Sequence, residues 1–492
     1  MTSDFQFSIR NPQAAIPNPQ SVIRNPQSAI PNPQSVIRNP QSVIRNPQSP
    51  IPNPQLAIRN PQSPIPNPQL AIRNPQSAIP NPQSAIRNPQ SPILNPQSPI
   101  LNPQSAIPNP QSAIRNPKIA WDVRMWRHSG IGTHIRDLTA AMARMDRPPQ
   151  LVCLGPPYFA REAAAQAPEW EAVEFDRRVY GLAGQIAPPP FQPDWSLFHS
   201  PHYTFPLRWP KDRPLVVTIH DLIHLDSPNP LKRLYARFFL QRLQARPRRN
   251  LRVITVSETM RRKLLEVLPR LAEGGGEIVR CIPNGVPSRF LGPAPSREGV
   301  GGWARRRGLP AEYLLQVGVA LPHKNHEFVL KTLLPLSLRG EWNLPLVLCG
   351  VGRQGADRLM SLARKFRPDP PVICLPYLPD EEMPLLYAAA KALLLPSLDE
   401  GFGLPVLEAQ AMGTPVLASD RPVLRETSAG AALFFDPAHS ESLAAALKRL
   451  MADEAAIADL VRRGRNHART MTWKAAAEAT VRVYEELLMN DE

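Results

Sequence analysis

Two glutamates, Glu400 and Glu408, flank a glycine-containing turn within the segment 391–419, KALLLPSLDEGFGLPVLEAQAMGTPVLAS. The apolar run before Glu400 predicts a buried parallel strand, and Pro405 favours the first turn of a helix that contains Glu408. Ligands bind at the carboxyl ends of such strands, where helix N-termini favour phosphate and carboxylates accept hydrogen bonds from hydroxyl groups. The segment therefore predicts a site for a polyhydroxylated ligand that carries phosphate, whereas two glutamates at this spacing alone would indicate only solvated side chains. The residues of the turn and the first helical position expected at this site are Gly401, Phe402, Gly403 and Leu404.

A second segment, YLLQVGVALPHKNHEFVL (313–330), also predicts a strand, a turn and a helix. It places a basic side chain just before the helix. A lysine at the start of a helix is usually exposed to solvent, but Lys324 follows a strand and a glycine turn in an alternating α/β pattern. It is therefore placed to reach the phosphate groups of a bound ligand. The candidate ligand-binding residues of this unit are Gly318, His323, Lys324 and Asn325.

A third glycine turn, HSGIGTHIRDLTAAM (128–142), follows the first predicted strand of the folded part. Gly130 and Gly132 would place backbone amides close to a phosphate, although glycine turns often serve only as tight joints. Ile135 stands where a dinucleotide-binding motif has its third glycine, which disfavours a dinucleotide ligand.

The run PLVVTIHDLIHL (214–225) predicts a central strand that ends at His220. A lone histidine is usually structural, but a histidine at the end of a central strand can also face a ligand. His220 and His224 have the spacing of a metal-binding pair on a helix. Here the pair begins at a strand end, so a metal site is not expected.

Together, these segments resemble the E-x7-E signature, the glycine loop, the HD segment and the H-K-N element of the retaining GT-B glycosyltransferases (family 4, or group 1), which include bacterial mannosyltransferases. The resemblance implies that Glu408 holds the ribose of a nucleotide and that Glu400, with the turn amides, holds the donor sugar. It also implies that His220 faces this sugar and that Lys324 stabilises the departing diphosphate, so that Glu400, His220 and Lys324 are the catalytic candidates. Val319 stands where some members carry an arginine, so part of their phosphate clamp has no counterpart here.

The resemblance implies an α/β fold of the GT-B type, with two doubly wound Rossmann-like domains that face a cleft. His202 is a further candidate on the acceptor side, and Tyr377 and Leu378 fall where the family contacts the nucleotide base. The predicted parts are an acceptor-side domain at 118–290, a linker at 291–310, a nucleotide-sugar-binding domain at 311–472 and a helix at 473–492 that returns to the first domain.

The implied reaction moves a hexose, mannose or glucose, from a nucleotide-diphosphate sugar to a glycan or lipid-linked acceptor in cell-surface polysaccharide synthesis. It proceeds with retention of the anomeric configuration. The chain has no D-x-D motif, so neither a catalytic metal nor another cofactor is expected. Two other functions stay open: a GT-B nucleotide-sugar epimerase or hydrolase, which would consume the donor without an acceptor, and an inactive sugar-binding scaffold. The intact candidate residues argue against the scaffold.

Residues 1–117 differ in kind from the rest, because seven-residue units such as NPQSAIR, NPQSVIR and NPQSAIP repeat up to Lys118. Proline in every unit excludes a coiled coil, and the few apolar residues offer too little surface to offset the entropy of folding. The segment is therefore predicted to be disordered or partly polyproline II. A docking tail for SH3-like partners, and a tandem DNA repeat translated from a start codon placed too early, are the alternatives.

The chain carries a net charge of +16 over 492 residues. This charge fits an anionic nucleotide-sugar donor or contact with an anionic membrane surface. No nucleic-acid-binding motif is recognisable, so nucleic acid is not an expected partner. The segment LKRLYARFFLQRLQAR (231–246) predicts a basic amphipathic helix that packs its apolar side in the core, with contact to a membrane surface as the alternative.

The cysteines lie in apolar runs without the spacing of a metal site or a disulfide framework, which predicts buried free thiols in a reducing compartment. They are Cys153, Cys281, Cys349 and Cys374. No segment is long and apolar enough to span a membrane, and the first residues lack the apolar core of a signal peptide. The expected location is the cytoplasm, with peripheral contact to the inner face of the cell membrane.

Overall fold

Short apolar runs form the strands of the structure, a computed structural model that describes residues 117–180, 186, 190–273 and 277–489. Most of these runs are rich in apolar residues, as expected for parallel strands that are buried on both faces. In LVVTI (Leu215–Ile219), for example, all five residues are buried. Among the described residues, the strands form two parallel sheets.

The first sheet has the strand order β3-β2-β1-β4-β5-β6-β7, and its neighbouring strands are all parallel. Its strands are β1 (Lys118–Asp122), β2 (Gln150–Gly155), β3 (Glu171–Glu174), β4 (Trp195–Ser200), β5 (Leu215–Ile219), β6 (Leu251–Thr255) and β7 (Val279–Cys281).

The second sheet has the order β10-β9-β8-β11-β12-β13 and is also parallel throughout. Its strands are β8 (Leu314–Val317), β9 (Leu346–Cys349), β10 (Val372–Leu375), β11 (Ala392–Leu395), β12 (Val416–Ser419) and β13 (Leu433–Phe435).

Amphipathic helices between the strands pack their apolar sides into four buried clusters with the sheets. The α-helices of the described residues are α1 (Ile131–Ala143), α2 (Pro157–Ala164), α3 (Pro230–Gln244), α4 (Glu258–Val267), α5 (Arg297–Arg306), α6 (His326–Leu338), α7 (Arg353–Arg364), α8 (Met383–Ala389), α9 (Leu404–Met412), α10 (Pro422–Thr427), α11 (Ser440–Ala452), α12 (Glu454–Thr470) and α13 (Trp473–Met489).

The strand order changes direction between β1 and β4 in the first sheet and between β8 and β11 in the second. At such a point the chain leaves two neighbouring strands towards opposite sides, and a crevice opens between the loops that follow them. The loops after β8 and β11 carry Lys324 and Glu400, so these candidates share one crevice. The doubly wound arrangement predicted for both halves is therefore confirmed.

The last helix, α13, packs on the first sheet rather than on the second, which precedes it in the chain. Trp473 and Tyr484 are buried in the same apolar cluster as Trp121 of β1. At the crossing, a Cβ atom on Gly285 would lie 2.2 Å from the backbone nitrogen of Trp473, so the two chain segments touch backbone to backbone. The chain thus leaves the first half after Gly285 and returns to it at Trp473, and these two segments are in contact.

The segment 291–310, predicted to be a linker, contains helix α5. Ser296 caps this helix by accepting a hydrogen bond from the amide of Gly299. Trp303 and Ala304 are buried in the apolar core of the second half, where the Trp303 indole donates to Glu382 at 2.8 Å. The segment between the halves therefore has a buried face, formed by these two residues, that its glycines and arginines did not indicate.

Helix α3 also differs from its prediction, which placed most of its large apolar residues on one packed side. Its buried residues are Ala236, Phe239, Leu240 and Leu243. Leu231, Leu234 and Phe238 are instead exposed, by 74%, 65% and 41%. The helix therefore has a second apolar surface beside its core-facing side.

Several further predictions can be compared with the structure. All four cysteines are free, and Cys153 and Cys349 are buried, whereas Cys281 and Cys374 are partly exposed. In the described part of the chain, no helix is long and apolar enough to cross a membrane. The prediction of disorder for 1–117 lies outside the described residues, apart from residue 117.

Candidate active site

The loops after β8 and β11 bring a lysine and a glutamate into direct contact. Lys324 Nζ donates to Glu400 Oε1 at 2.6 Å, and the two side chains are 19% and 10% exposed. Ser397 Oγ donates to the same carboxylate oxygen at 2.7 Å. The backbone joins the loops as well, because the amide of Leu398 donates to the carbonyl of His323 at 2.7 Å. The two candidate catalytic groups of the second half are therefore fixed relative to each other.

The turn after Glu400 lies directly against the end of strand β5 in the first half. A Cβ atom on Gly401 would lie 1.6 Å from the carbonyl oxygen of His220, so a residue with a side chain cannot occupy this position without moving the backbone. Gly403 has a φ of 95°, in the left-handed region, and begins helix α9. The glycines predicted from the sequence are thus required both for the turn and for contact between the halves.

His220 is partly buried, and its ring makes a defined hydrogen bond. Nε2 lies 3.1 Å from the carbonyl oxygen of Pro201, which can only accept, so Nε2 carries the proton in this contact. Burial lowers the pKa of His220 well below its ordinary value, and the neighbouring His134 acts in the same direction. The ring is therefore neutral near pH 7, and Nδ1 keeps its lone pair.

The ring of His134, from α1, packs against the ring of His220. The two rings meet edge to face with their centroids 4.6 Å apart, and His134 Nδ1 is 2.8 Å from the side-chain oxygen of Asn284. Burial lowers the pKa of His134 to about 4, although the contact with Asn284 acts against this. Residues from α1, the loop after β4 and the segment after β7 therefore fix the imidazole of His220.

Glu408 lies within helix α9 and is 7% exposed. Its Oε2 accepts a hydrogen bond from the Tyr387 hydroxyl at 2.6 Å, and its Oε1 is 3.6 Å from Nη2 of Arg289. Burial raises the pKa of Glu408, while Arg289 and then Tyr387 act in the opposite direction. The carboxylate is held in place by partners on both of its oxygens.

The two glycines of the turn at the start of α1 have different roles. Gly130 has a φ of 70° and begins the helix, and a Cβ atom there would meet nothing within 4 Å. A Cβ atom on Gly132 would lie 2.5 Å from the carbonyl oxygen of Trp126, so packing against this turn requires glycine at that position. No side chain caps the N-terminus of α1, and the amides of Ile131 and Gly132 donate instead to the backbone carbonyls of Ser129 and His128, both at 2.8 Å.

The remaining predicted residues of the second half contribute through different groups. Asn325 has a φ of 56°, and its side-chain amide donates to the carbonyl of Pro437 at 3.2 Å. Gly318 is also in the left-handed region, with a φ of 129°. Phe402 is buried in the apolar core, and Leu404 packs against that core. The side chain of Phe402 is therefore not available to a ligand, whereas that of Leu404 is partly exposed.

Three other predicted positions show no contact with Glu400 or Lys324. His202 is buried and hydrogen-bonds to Tyr180 and Thr204, and burial lowers its pKa well below the ordinary value. Tyr377 is 69% exposed and donates to Asp380, whereas Leu378 is buried in the core. Tyr377 is therefore the more accessible of the two residues predicted to contact a base.

Several residues of the site lie outside the motifs recognised in the sequence. Ser397 precedes Glu400 by three positions and could have been included with its turn. The other partners lie far from their targets in the chain, so no local pattern points to them. These partners are Asn284 for His134, Tyr387 and Arg289 for Glu408, and Ser257 for the carbonyl of Gly401.

No set of three or more histidine, cysteine, aspartate or glutamate side chains is arranged to hold a metal ion in the described part of the chain. The fixed polar groups of the crevice are instead the Lys324–Glu400 pair, the imidazole of His220 and the carboxylate of Glu408. Such a site can accept hydrogen bonds from sugar hydroxyls and donate to phosphate oxygens.

Two family models match the chain, one on each half. The model described as Glycosyltransferase Family 4 matches residues 128–290, and the model described as Glycosyl transferases group 1 matches residues 305–467. The first range contains β2 to β7 and the second contains β8 to β13. Glu400, Glu408 and Lys324 lie within the second match, and His220 lies within the first.

Curated relatives and a solved structure agree with these matches. The chain is 26% identical to O-antigen chain mannosyltransferase B of Escherichia coli over 288 residues, which cover 58% of this chain and 74% of that protein. It is 30% identical to O-antigen chain mannosyltransferase RfbU of Salmonella typhimurium over 253 residues, covering 51% of this chain and 63% of that protein.

The solved structure of Anabaena Alr3699/HepE in complex with UDP and glucose superposes with a TM-score of 0.57 at 16% identity, covering 75% of this chain and 99% of that one. This similarity supports the two-domain fold. The family models, the relatives and the fold agree on one classification: the chain belongs to the group 1, family 4 glycosyltransferases with the GT-B fold.

Proposed function

We propose that this glycosyltransferase moves a hexose from a nucleotide-diphosphate sugar to a glycan or lipid-linked acceptor, with retention of configuration. The observation that carries the proposal is the Lys324–Glu400 pair, which lies at the crevice of the second sheet beside a glycine turn that rests on His220. Glu408 lies within helix α9, which follows this turn. The arrangement supplies an acceptor for hydroxyls, a cation for phosphate and a neutral imidazole within one site.

In this proposal, each group has one task. Glu408 accepts hydrogen bonds from the ribose, and Glu400 and the amides of Gly401 and Gly403 hold the sugar. The bond between the anomeric carbon and the diphosphate oxygen breaks, the acceptor oxygen bonds to the same face, and the acceptor proton passes to the released diphosphate. Lys324 offsets the negative charge that develops on the leaving group, without a metal ion.

The names of the relatives favour mannose as the sugar and a cell-surface polysaccharide as the product. Two aligned relatives are O-antigen chain mannosyltransferases. Glucose is the second candidate, because the superposed HepE structure contains UDP and glucose. A thermal-shift comparison of nucleotide sugars that differ in base and in hexose would identify the donor, since a ligand that binds only the folded state raises the melting temperature.

The division of roles between the glutamates can be tested by calorimetry with a nucleotide alone and with its nucleotide sugar. Glu408→Ala should abolish binding of both, whereas Glu400→Ala should leave nucleotide binding intact and weaken only the nucleotide sugar. Each hydrogen bond to a charged group is worth roughly 1.5–3 kcal/mol. Equal losses of free-nucleotide binding in the two variants would contradict this assignment.

Donor consumption measured with and without acceptor distinguishes the proposal from the alternatives. A transferase consumes donor only when a lipid-linked or glycan acceptor is present. An epimerase or hydrolase would consume it in both cases, and a sugar-binding scaffold would consume it in neither.

We further propose that helix α3 contacts an anionic membrane that carries the acceptor. Leu231, Leu234 and Phe238 are exposed on it, and no acidic residue occurs in Pro230–Gln244. Lys232, Arg233, Arg237 and Arg242 supply positive charge on the same helix. Apolar side chains flanked by cations fit the interface of an anionic lipid bilayer.

Sedimentation with vesicles tests this surface. The protein should bind vesicles that contain phosphatidylglycerol and not vesicles of phosphatidylcholine alone, and L231Q/L234Q should weaken binding by about tenfold. Leu338→Gln, at an exposed leucine of α6 in the other half, is the control and should bind as the unaltered protein does. Equal binding of L231Q/L234Q would exclude this surface. A concentration-dependent dimer that L231Q/L234Q abolishes would instead assign it to a second copy of the chain.

A further inference from the structure

Arg289 lies outside the motifs discussed above, yet its guanidinium reaches two carboxylates of the proposed nucleotide site. Its Nη2 is 3.6 Å from Oε1 of Glu408, and its Nη1 is 3.5 Å from Oδ2 of Asp380. The Arg289 side chain is 19% exposed and that of Glu408 is 9% exposed. The pair is thus largely removed from water, where charges interact more strongly than at a surface.

A third carboxylate, from the first half, interacts electrostatically with the same guanidinium. Asp137 of α1 lies close enough for Arg289 to act on its ionisation, and burial still raises the pKa of Asp137 to about 6. In the described residues, Oδ2 of Asp137 and Nε of Arg289 are both buried without a hydrogen-bond partner. Arg289 therefore interacts with carboxylates from three separate segments.

Glu408 needs a neighbouring cation if it is to bind hydroxyl groups as a carboxylate. Burial disfavours its charged form, and Asp380 acts in the same direction, whereas Arg289 and the Tyr387 hydroxyl favour it. An ionised carboxyl group only accepts hydrogen bonds, as two ribose hydroxyls require, while a protonated one must also donate. The titratable groups that face Glu408 in the described residues are Arg289, Tyr387, Asp380, Asp137 and Cys349. Arg289 is the only cation among them.

We propose that Arg289 is a positioning residue that keeps the carboxylate of Glu408 ionised and aligned for the ribose of the bound nucleotide. The proposal rests on the function proposed above, which places the ribose at Glu408. It explains why this arginine reaches from the segment between the halves into the site. It also gives the site a cation near the nucleotide that is distinct from Lys324 at the diphosphate.

The test measures the affinity for GDP and UDP by calorimetry between about pH 8 and about pH 5.5, across the range where a buried carboxyl group titrates. Near pH 8, R289M should bind within about threefold of the unaltered protein, and near pH 6 at least about tenfold more weakly. The phosphate groups of the ligand titrate identically in every sample, so the ratio of affinities reports on the protein. R289K keeps a positive charge and should restore most of the binding at acid pH.

Two further variants separate the charge effect from a general structural one. E408Q cannot ionise, so adding R289M to E408Q should change the affinity little at any pH, which a double-mutant cycle measures directly. R307M removes another arginine–carboxylate pair, the one between Arg307 and Glu382. It should bind the nucleotides as tightly as the unaltered protein does at each pH. Thermal unfolding without ligand shows whether each variant is folded.

An equal loss of affinity in R289M at every pH would overturn the proposal, because Arg289 would then contact the ligand or only support the fold. Affinity of R289M identical to the unaltered protein throughout would overturn it too. If the unaltered protein binds neither nucleotide at any pH, the proposed function fails and the role of Arg289 fails with it. Normal binding by the unaltered protein with no pH-dependent loss in R289M leaves the function standing and refutes this inference alone.

Discussion

At the scale of single residues, the proposed mechanism depends on Lys324, which forms an ion pair with Glu400 between the loops after β8 and β11. The pair is 2.6 Å apart and mostly buried. Removing one partner of such a pair leaves the other charge uncompensated. In the proposed mechanism Val319 offers no second cation for the diphosphate, so the proposal assigns this charge to the lysine.

We expect Lys324→Ala to lower turnover by a factor on the order of 100 or more, since losing a preorganised charge partner costs roughly 3 kcal/mol in the transition state. Lys331→Ala, in the next helix and paired only with the exposed Glu327, is the control and should keep its activity. EDTA should have little effect on the unaltered enzyme. Strong inhibition by EDTA that magnesium or manganese restores, together with near-normal activity of Lys324→Ala, would contradict the mechanism.

His134 determines part of the pH dependence of stability. Its pKa is lowered by burial to about 4, below the ordinary value of 6.5, so the unfolded chain binds more protons as the pH falls between these values. Stability is therefore fully present above about pH 6.5 and declines towards pH 4.

Denaturant unfolding at about pH 7 and about pH 5 should show a smaller loss for His134→Asn than for the unaltered protein, by roughly 2 kcal/mol. Asparagine keeps a donor for Asn284 but does not titrate. His128→Asn, at an exposed histidine before the same helix, is the control and should lose as much stability as the unaltered protein. The same pH dependence in His134→Asn would mean that this histidine does not titrate in the folded protein as described.

At the scale of elements, the N-terminus of α4 joins the two halves beside the turn after Glu400. Ser257 Oγ donates to the carbonyl of Gly401 at 2.8 Å. The Glu426 carboxylate accepts from the amides of Glu258 and Thr259 at 2.6 and 2.9 Å. A carboxylate at a helix N-terminus satisfies free amides and interacts favourably with the helix dipole. The contact therefore positions the turn after Glu400 against His220.

We expect Glu426→Ala to leave nucleotide affinity unchanged, because the proposed nucleotide contacts lie elsewhere in the second half. Turnover should fall by about tenfold, since small displacements of reacting groups are costly. Glu441→Ala, which removes an acidic residue from the first turn of α11, is the matched control. A loss of nucleotide affinity with unchanged turnover of bound donor would show that Glu426 does not act through contact between the halves.

At the scale of the whole molecule, the repeat and the enzyme differ in composition, and the described fold begins at the end of the repeat. Lys118 starts β1 and forms ion pairs with Glu171 and Asp194 at 2.7 and 2.8 Å. Proline in every seven-residue unit of residues 1–117 is the basis for predicting that this segment does not fold with the enzyme.

A variant that starts near Lys118 should therefore keep both its melting temperature and its turnover. Calorimetric unfolding and a donor-consumption assay of the shortened and full chains would check this. Loss of folding in the shortened chain would show that the repeat packs on the enzyme.

The sequence alone determined the architecture and the segments that form the candidate site. Apolar runs alternating with amphipathic segments predict parallel sheets wherever they occur, because this pattern is set by neighbours within a few positions. The turn with Glu400 and Gly401 and the helix with Glu408 form one continuous segment, so their proximity follows from their order in the chain. Lys324 was predicted in the same way, from a strand and a turn just before it.

Only the tertiary structure decided which distant residues complete these groups. Arg289 meets Glu408, Asn284 meets His134 and the carbonyl of His220 meets Gly401, all across more than a hundred positions. The exposed surface of α3 and the helix within 291–310 were also settled only by packing. The physical reason is that local patterns fix which side of a segment is apolar, whereas its packing partner depends on how the segments fold together.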